Sequence, residues 1–431
     1  MSVILIYILG AALRFAVSGN TYLENRPELS NPTNSWRRLV EGIYLQKQGL
    51  SPYDGVVFHE SPLLLRLYIL LEPILVDYST LSFILLDLLT CLILGKIGDE
   101  FAKTLLSDQK RDKNEVHPEA GSILISSNLL NTLPKSLSIF YLLNPYLLLN
   151  CSAKTTTVWN NLLVSLVLLG QVQSSRILGT LALSLAAYQG FYPIILIFPL
   201  SIQIARCEDG GLDWRGFKSV FKTVSCFIFF SGFLLFLSAQ LSGSWKFLDS
   251  TYGFILSVPE LTPNMGIFWY FFTEMFEHFR VFFLATFQLN LFMYCIPLSL
   301  RFWRTPLLLS VTLVGLTAVL KSYPGLGDVG FFLALLPLFS HLLPFLKQTF
   351  LIAGIMLATT ILAPILWQLW IYNNSANANY YFAINLFFST AQIFLITDLL
   401  FASVKRDFFL KEGYSVTEKE KDGKKYILQL K

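Results

Sequence analysis

Charge is scarce in this sequence: Asp, Glu, Lys and Arg make up 14% of the 431 residues, where a soluble domain carries about a quarter. Water is therefore not the main solvent of the folded chain. Cysteine is scarce too. Five occur, at positions 91, 151, 207, 226 and 295, an odd number at irregular spacing and mostly in or beside apolar stretches. Neither a disulfide framework nor a zinc-binding spacing is implied. The net charge is only +4, and Lys and Arg are scattered between apolar segments instead of clustering with stacking aromatics, which excludes a nucleic-acid surface.

What is abundant is apolar sequence: 54% of the residues are hydrophobic and the mean hydropathy is +0.57. Crossing roughly 30 Å of hydrocarbon takes about 20 apolar residues, and such runs recur along the whole chain. They predict an all-α, polytopic membrane protein with about twelve transmembrane helices, near residues 2–18, 78–96, 136–152, 157–173, 176–190, 191–206, 217–241, 279–300, 305–320, 329–346, 350–371 and 381–402. The first run carries Arg14 near its end and lacks a small-residue cleavage site, so it reads as a retained signal anchor. Cytoplasmic loops carry an excess of Lys and Arg. One alternate set of loops holds Lys96, Lys103, Lys110, Arg111, Lys113, Arg176, Arg206, Arg215, Lys218, Arg301, Arg304, Lys347 and the tail from Lys405, against Lys154, Lys246 and Lys321 in the other. Both termini are thus expected in the cytoplasm. One membrane domain, 1–402, would present loops 19–77, 242–278, 321–328 and 372–380 on the opposite side, followed by a charged cytoplasmic tail, 403–431.

The loops on that opposite side hold the polar peculiarities. The run GLSPYDGVVFHESPLLL, from Gly49, places Asp54, His59 and Glu60 just before an apolar segment. Acid groups there could act as a general base, although Pro52 and Gly55 also suit a plain turn. This run resembles a segment of endoplasmic-reticulum mannosyltransferases of the GT-C type, and the resemblance implies a GT-C-like membrane domain. Those enzymes carry an Asp-x-Asp pair shortly upstream, and here the matching positions are Thr33 and Ser35. Neither offers a carboxylate base or ligand.

In the run SVPELTPNMGIFWYFFTEMFEHFRVFF, from Ser257, a continuous helix beyond Gly266 would put Glu274, Glu277 and His278 at i, i+3 and i+4 on one face. Three readings are open: a metal site, a charged patch orienting the helix at the interface with Glu277 against Arg280, or a lipid or partner groove walled by Phe268, Trp269, Tyr270, Phe271 and Phe272. The Asn-rich loop 373–379 offers amides, which suit sugar hydroxyls without the desolvation cost of an ion, and which also favour turns. In KSYPGLGD, Lys321, Tyr323 and Asp328 bracket a turn where a lysine could meet a lipid phosphate or simply pair with Asp328. The charges Arg66, Glu72 and Asp87 within apolar stretches are too scattered to describe an ion pathway.

Together with FYLLNPYLLLNC from Phe140, KSYPGLGDV from Lys321 and LWQLWIYNNSANANYYFAI from Leu366, the Ser257 run resembles the phosphatidylinositol-glycan class U family, over nearly the whole chain. Members of that family are subunits of the endoplasmic-reticulum transamidase that attaches glycosylphosphatidylinositol (GPI) to proteins. The resemblance implies a non-catalytic, multi-pass subunit of the endoplasmic-reticulum membrane that contacts GPI at Asn377 and Asn379, with Lys321, Tyr323 and Asp328 as further candidates. Its partners would be other transamidase subunits, including a cysteine-protease-like catalytic one, together with the GPI glycolipid and membrane lipids; no cofactor and no metal is expected. A transamidase needs an activated nucleophile beside a base, and Cys151, in an apolar run, lacks the electropositive surroundings that would activate it beside His59. An active GT-C mannosyltransferase using a dolichol-linked donor is the enzymatic alternative. A transporter would want charged pairs or inverted repeats, and neither is evident.

Overall fold

The computed structural model describes residues 3–72, 78–111, 116–209, 214–413, 418–421 and 424–427. The end of the expected first loop (73–77), Lys113 with its neighbours (112–115), and tail residues 414–417, 422–423 and 428–431 lie outside the described residues. Leaving aside single helical turns, the chain runs α1 (Val3–Val17), α2 (Trp36–Lys47), α3 (Pro62–Leu70), α4 (Ser79–Arg111), α5 (Leu129–Leu142), α6 (Pro145–Ser152), α7 (Thr157–Val172), α8 (Arg176–Gly190), α9 (Ile197–Asp209) and α10 (Trp214–Ser242). It continues through α11 (Phe268–Glu274), α12 (Arg280–Met293), α13 (Cys295–Arg301), α14 (Pro306–Leu320), α15 (Leu326–Leu335), α16 (Thr349–Ile371) and α17 (Ala378–Glu412). A two-stranded antiparallel hairpin, Glu418–Lys421 with Lys424–Ile427, follows in the tail.

Among the described residues, six helical segments are long and apolar enough to cross a membrane: Ser79–Arg111, Trp214–Ser242, Glu277–Arg301, Leu326–Phe345, Thr349–Ile371 and Ala378–Glu412. Three shorter apolar helices, Val3–Val17, Thr157–Val172 and Pro306–Leu320, stand beside them. The difference from the twelve expected spans has local causes. The run 136–152 is two helices, because Pro145 lacks the N–H that would continue α5 and starts α6 behind the Asn144 cap. Between α8 and α9 the break falls where the sequence reading divides 176–190 from 191–206: Phe191 sits at φ +54° and leads into a 3-10 turn containing Pro193. The outer helices carry apolar side chains outward, as hydrocarbon-facing helices do: Phe221, Ile228, Phe229, Phe233 and Phe236 on α10 and Phe350 and Leu357 on α16 are all exposed.

The interior is a continuous apolar cluster drawn from α1, α4, α5, α7, α8, α9, α14, α15 and α17. Close approach is needed where α7 turns back as α8. A Cβ on Gly170 would lie 2.6 Å from the backbone of Gly179, so only glycine lets the two helices touch there. The most deeply buried ion pair among the described residues joins Arg14 to Asp87. Arg14 Nε donates to Asp87 Oδ2 at 2.5 Å, Arg14 Nη1 donates to the carbonyls of Leu142 (2.7 Å) and Gly10 (3.1 Å), and the Tyr141 hydroxyl donates to Asp87 Oδ1 at 2.5 Å. Arg14 is 0% exposed and Asp87 1%. This explains a charge that stood alone in the sequence: Asp87 is the counter-ion that makes an arginine tolerable in an apolar interior.

Candidate functional site

The loops at 19–72, 242–278, 321–328 and 372–380 meet at one end of the helical body. The first loop and the KSYPGLGD turn are tied by the Leu326 N–H to the Glu28 carbonyl (2.8 Å) and by Asn31 Nδ2 to the Tyr323 carbonyl (2.9 Å). Arg38 grips Glu260 with two bonds, 2.9 and 2.6 Å, joining the first loop to the loop after α10. Lys246 and Asp54 make a second, exposed tie (2.8 Å) between the same two loops. Arg26 is held by both oxygens of Glu28 and lies over the Trp367 ring, which joins the first loop to α16.

Within this rim the KSYPGLGD turn is rigid. Lys321 Nζ lies 2.6 Å from Asp328 Oδ2, and the same carboxylate accepts the Gly325 N–H at 2.9 Å, where α15 begins. Asp328 therefore serves two donors: it caps a helix start and neutralises a lysine. Gly327 is required because a Cβ would fall 2.3 Å from Asn150 Oδ1. Tyr323 does not face outward as a sugar contact would. It is 3% exposed, its ring stacks on Phe254 at 5.2 Å, and its hydroxyl donates to the Glu260 carbonyl at 2.9 Å. That donor helps hold the turn, and the side chain also borders the small cavity beside Lys321.

Lys321 and Asp328 line a small polar cavity of about 80 Å³ with Thr33, His59, Glu60 and Asn160. His59 stacks on Phe254 and places Nδ1 2.8 Å from the Ser250 carbonyl, so Nδ1 carries the proton and Nε2 is left an unpartnered acceptor. Burial lowers its pKa to about 4, keeping the ring neutral. Glu60 accepts a 2.6 Å bond from the Thr156 hydroxyl, and burial raises its pKa to about 7. Thr33, one of the two positions matching the mannosyltransferase carboxylates, bonds its hydroxyl to Asn31 Oδ1 at 2.8 Å. The cavity thus offers a neutral histidine acceptor, an acid whose pKa burial raises and a lysine paired with Asp328. Thr156, Asn160 and Gln189 on its wall were not singled out in the sequence; the signal available was the polar run Thr155, Thr156, Thr157, Asn160 and Asn161 at the head of an otherwise apolar helix.

The aromatic run is divided differently from expectation. α11 ends at Glu274, Met275 and Phe276 are extended (ψ 144° and 134°), and a 3-10 turn starts at Glu277. Glu274, Glu277 and His278 are consequently not stacked on one helical face, and all three are exposed. The break separates α11, anchored by buried Phe268, Trp269 and Phe272, from α12, which runs along the outside of the body and buries Gln288 and Leu291. Arg280 secures the joint by donating to the Val258 carbonyl (2.7 Å) and lying over the Phe272 ring, so it does not pair with Glu277. Phe268, Trp269 and Phe272, expected to wall a lipid groove, are instead 1%, 3% and 3% exposed. Phe268 and Phe272 pack on Phe287, and Trp269 on Trp370, Tyr381 and Phe382. The rings that remain outside are Phe276, Phe279 and Phe282.

Beside α11 sits the Asn-rich hairpin between α16 and α17. Asn377 caps α17 by accepting the Asn379 N–H at 3.1 Å, and Asn379 Oδ1 accepts the Tyr270 hydroxyl. Both asparagines are exposed, and their amide nitrogens have no partner among the described residues. The arrangement presents two oriented N–H donors against an aromatic shelf, a combination suited to hydroxyl-rich ligands.

Comparison with known proteins adds the following. A family model described as GPI transamidase subunit PIG-U matches residues 5–388. The human protein named GPI-anchor transamidase component PIGU is 36% identical over 436 residues, covering 99% of both chains. In Saccharomyces cerevisiae, the GPI transamidase component GAB1 is 30% identical over 404 residues, covering 92% of this chain and 93% of that one. The Schizosaccharomyces pombe homolog of GAB1 is 30% identical over 389 residues, with 90% and 89% covered.

Proposed function

The chain belongs to the PIG-U family of GPI transamidase subunits, and on that premise we propose that it is the subunit that holds the GPI glycolipid while a partner performs the chemistry. The observation that carries this is the pair of exposed, oriented amides at Asn377 and Asn379, set against Tyr270 and the aromatic helix α11. Their N–H donors would take glycan hydroxyls. Lys321, held by Asp328, would sit near a phosphate, and Tyr323 would act by fixing that turn. The rings exposed at Phe276, Phe279 and Phe282 would lie along acyl chains, while Glu274, Glu277 and His278, outside any helical stack, would meet headgroups or a neighbouring subunit.

Positioning is then the contribution to catalysis. The terminal phosphoethanolamine amine of GPI is kept beside an acyl-enzyme on a cysteine-protease-like partner, which turns a two-body encounter into a local one. A non-catalytic role agrees with the absence of a carboxylate pair at Thr33 and Ser35 and with Cys151, which is 2% exposed and sealed in the helical body. In this reading the rim faces the lumen of the endoplasmic reticulum and both termini face the cytoplasm, which the distribution of Lys and Arg supports. A GT-C-like ancestry would account for the retained polar cavity, and none of the relatives' names supports a mannosyltransferase.

The test is Asn377→Ala with Asn379→Ala in the whole complex. Subunit assembly should be unchanged and the GPI that co-purifies should fall roughly tenfold, the loss of two hydrogen bonds of about 0.5–1.5 kcal/mol each. Undiminished GPI with an intact complex would remove the assignment.

A further inference from the structure

The end of the body opposite the rim, where α4, α9 and α17 finish and α13 joins α14, contains two adjoining clefts of about 700 and 670 Å³. Six cationic side chains line them: Arg111, Arg206, Arg301, Arg304, Arg406 and Lys411. Among the described residues three acids do, Asp108, Asp407 and Glu412. Asp108 is shared between Arg111 (3.1 Å) and Arg206 (3.5 Å). Arg301 and Arg304 lie over the rings of Phe302 and Trp303 and make no ion pair among the described residues. Arg406 Nε and His341 Nδ1 are both out of contact with solvent and lack any hydrogen-bond partner among the described residues. A buried guanidinium N–H without an acceptor is costly, and surplus positive charge, two unspent polar atoms and this volume together are the features of a binding cleft for an anionic group.

The ligand chemistry is set by what adjoins the cleft. Leu289, Met293, Ile296 and Leu300 are all exposed, at 58%, 71%, 63% and 72%. Their spacing of 4, 3 and 4 residues puts them in one stripe along the Glu277–Arg301 helical segment. The stripe ends at Arg301, at the mouth of the cleft, beside Trp303, a residue type enriched where side chains meet headgroups. An apolar track leading into a basic pocket fits an amphiphile with an anionic head. We propose that this cleft binds the phosphate-bearing headgroup of an anionic membrane phospholipid, whose acyl chain lies along the Leu289–Leu300 stripe. Arg304 and Arg406 are the anchoring groups, since planar guanidinium forks match phosphate oxygens. The site is separate from the Asn-rich rim and does not depend on the reading given to it.

The experiment uses the full chain in nanodiscs of phosphatidylcholine, with and without phosphatidic acid, and native mass spectrometry to count retained lipid. Phosphatidic acid should be retained over phosphatidylcholine, and less so as salt rises. Arg304→Gln with Arg406→Gln should reduce retention roughly tenfold, whereas Arg304→Lys with Arg406→Lys, which keeps the charge and loses the bidentate fork, should fall between that pair and wild type; the lysine pair and the salt dependence decide the matter if the glutamine pair does not fold. Deleting residues 414–431 should leave retention unchanged. The proposal is overturned by equal retention of the two lipids, by full retention in the glutamine pair, by complete displacement with inorganic phosphate, which would make the ligand a soluble anion, or by retention that appears only once the tail is removed, which would make the tail the occupant.

Discussion

Replacing Asp87 with asparagine tests whether the interior arginine is tolerable only because of its counter-ion. The substitution keeps the shape and an acceptor for the Tyr141 hydroxyl, but removes the sole negative charge bonded to Arg14, which is 0% exposed. Arg14 would keep its bonds to the Leu142 and Gly10 carbonyls, so the loss is mainly that of charge compensation. Removing one partner of a buried pair costs about 3–5 kcal/mol, a large share of the stability of a typical domain. Removing both charges, with Arg14→Met and Asp87→Asn together, deletes the uncompensated ion and should recover most of that cost. The measurement is the thermal midpoint of the detergent-purified chain, compared among wild type, single and double variants. Asp87→Asn should be the least stable of the three. If the double variant melts at or below the single one, Arg14 is not being held by Asp87 and the reasoning fails.

Glu60→Gln should stabilise the chain in a pH-dependent way. The folded-state pKa of Glu60 is raised from 4.5 to about 7, so the protonated acid is favoured by folding, and stability present below pH 4.5 is lost as pH rises through 7. Glutamine keeps the acceptor for Thr156, and its advantage should grow from about 1 kcal/mol at pH 5 to about 3 kcal/mol at pH 8. Melting curves of both proteins at the two pH values check this, and an equal difference at both would contradict it. Gly170→Ala should cost about 1–3 kcal/mol because its Cβ would strike the Gly179 backbone. Gly179→Ala would meet only the tip of Leu200 and should melt closer to wild type; the reverse ranking would show that the two helices do not touch as described.

Much of the rim's character was readable in advance, because turn residues and amides announce themselves: KSYPGLGD reads as a turn and residues 373–379 as an amide-rich loop, while the caps made by Asp328 and Asn377 emerged from the structure. The pairing of Lys321 with Asp328 was one of two readings of that turn, and the structure supplies its geometry. What could not be read was which aromatic side chains face out. Phe268, Trp269 and Phe272 look the same in sequence as Phe276, Phe279 and Phe282, and their separation depends on α11 burying its aromatics while α12 runs along the outside of the body. A helical continuation through Met275 was locally reasonable; the structure breaks the helix there.

The sequence by itself determined the solvent, the family and the polar rim's composition, because hydropathy, turn chemistry and long ordered motifs are local properties of the chain. The tertiary structure alone decided that Arg14 meets Asp87, that His59 and Glu60 share a cavity with Lys321, and that arginines from α9, α13, the α13–α14 joint and α17 converge at the far end. Those are contacts between residues up to hundreds of positions apart. No periodicity encodes them, since their energy appears only when separate helices are brought into register by the packing of a common interior.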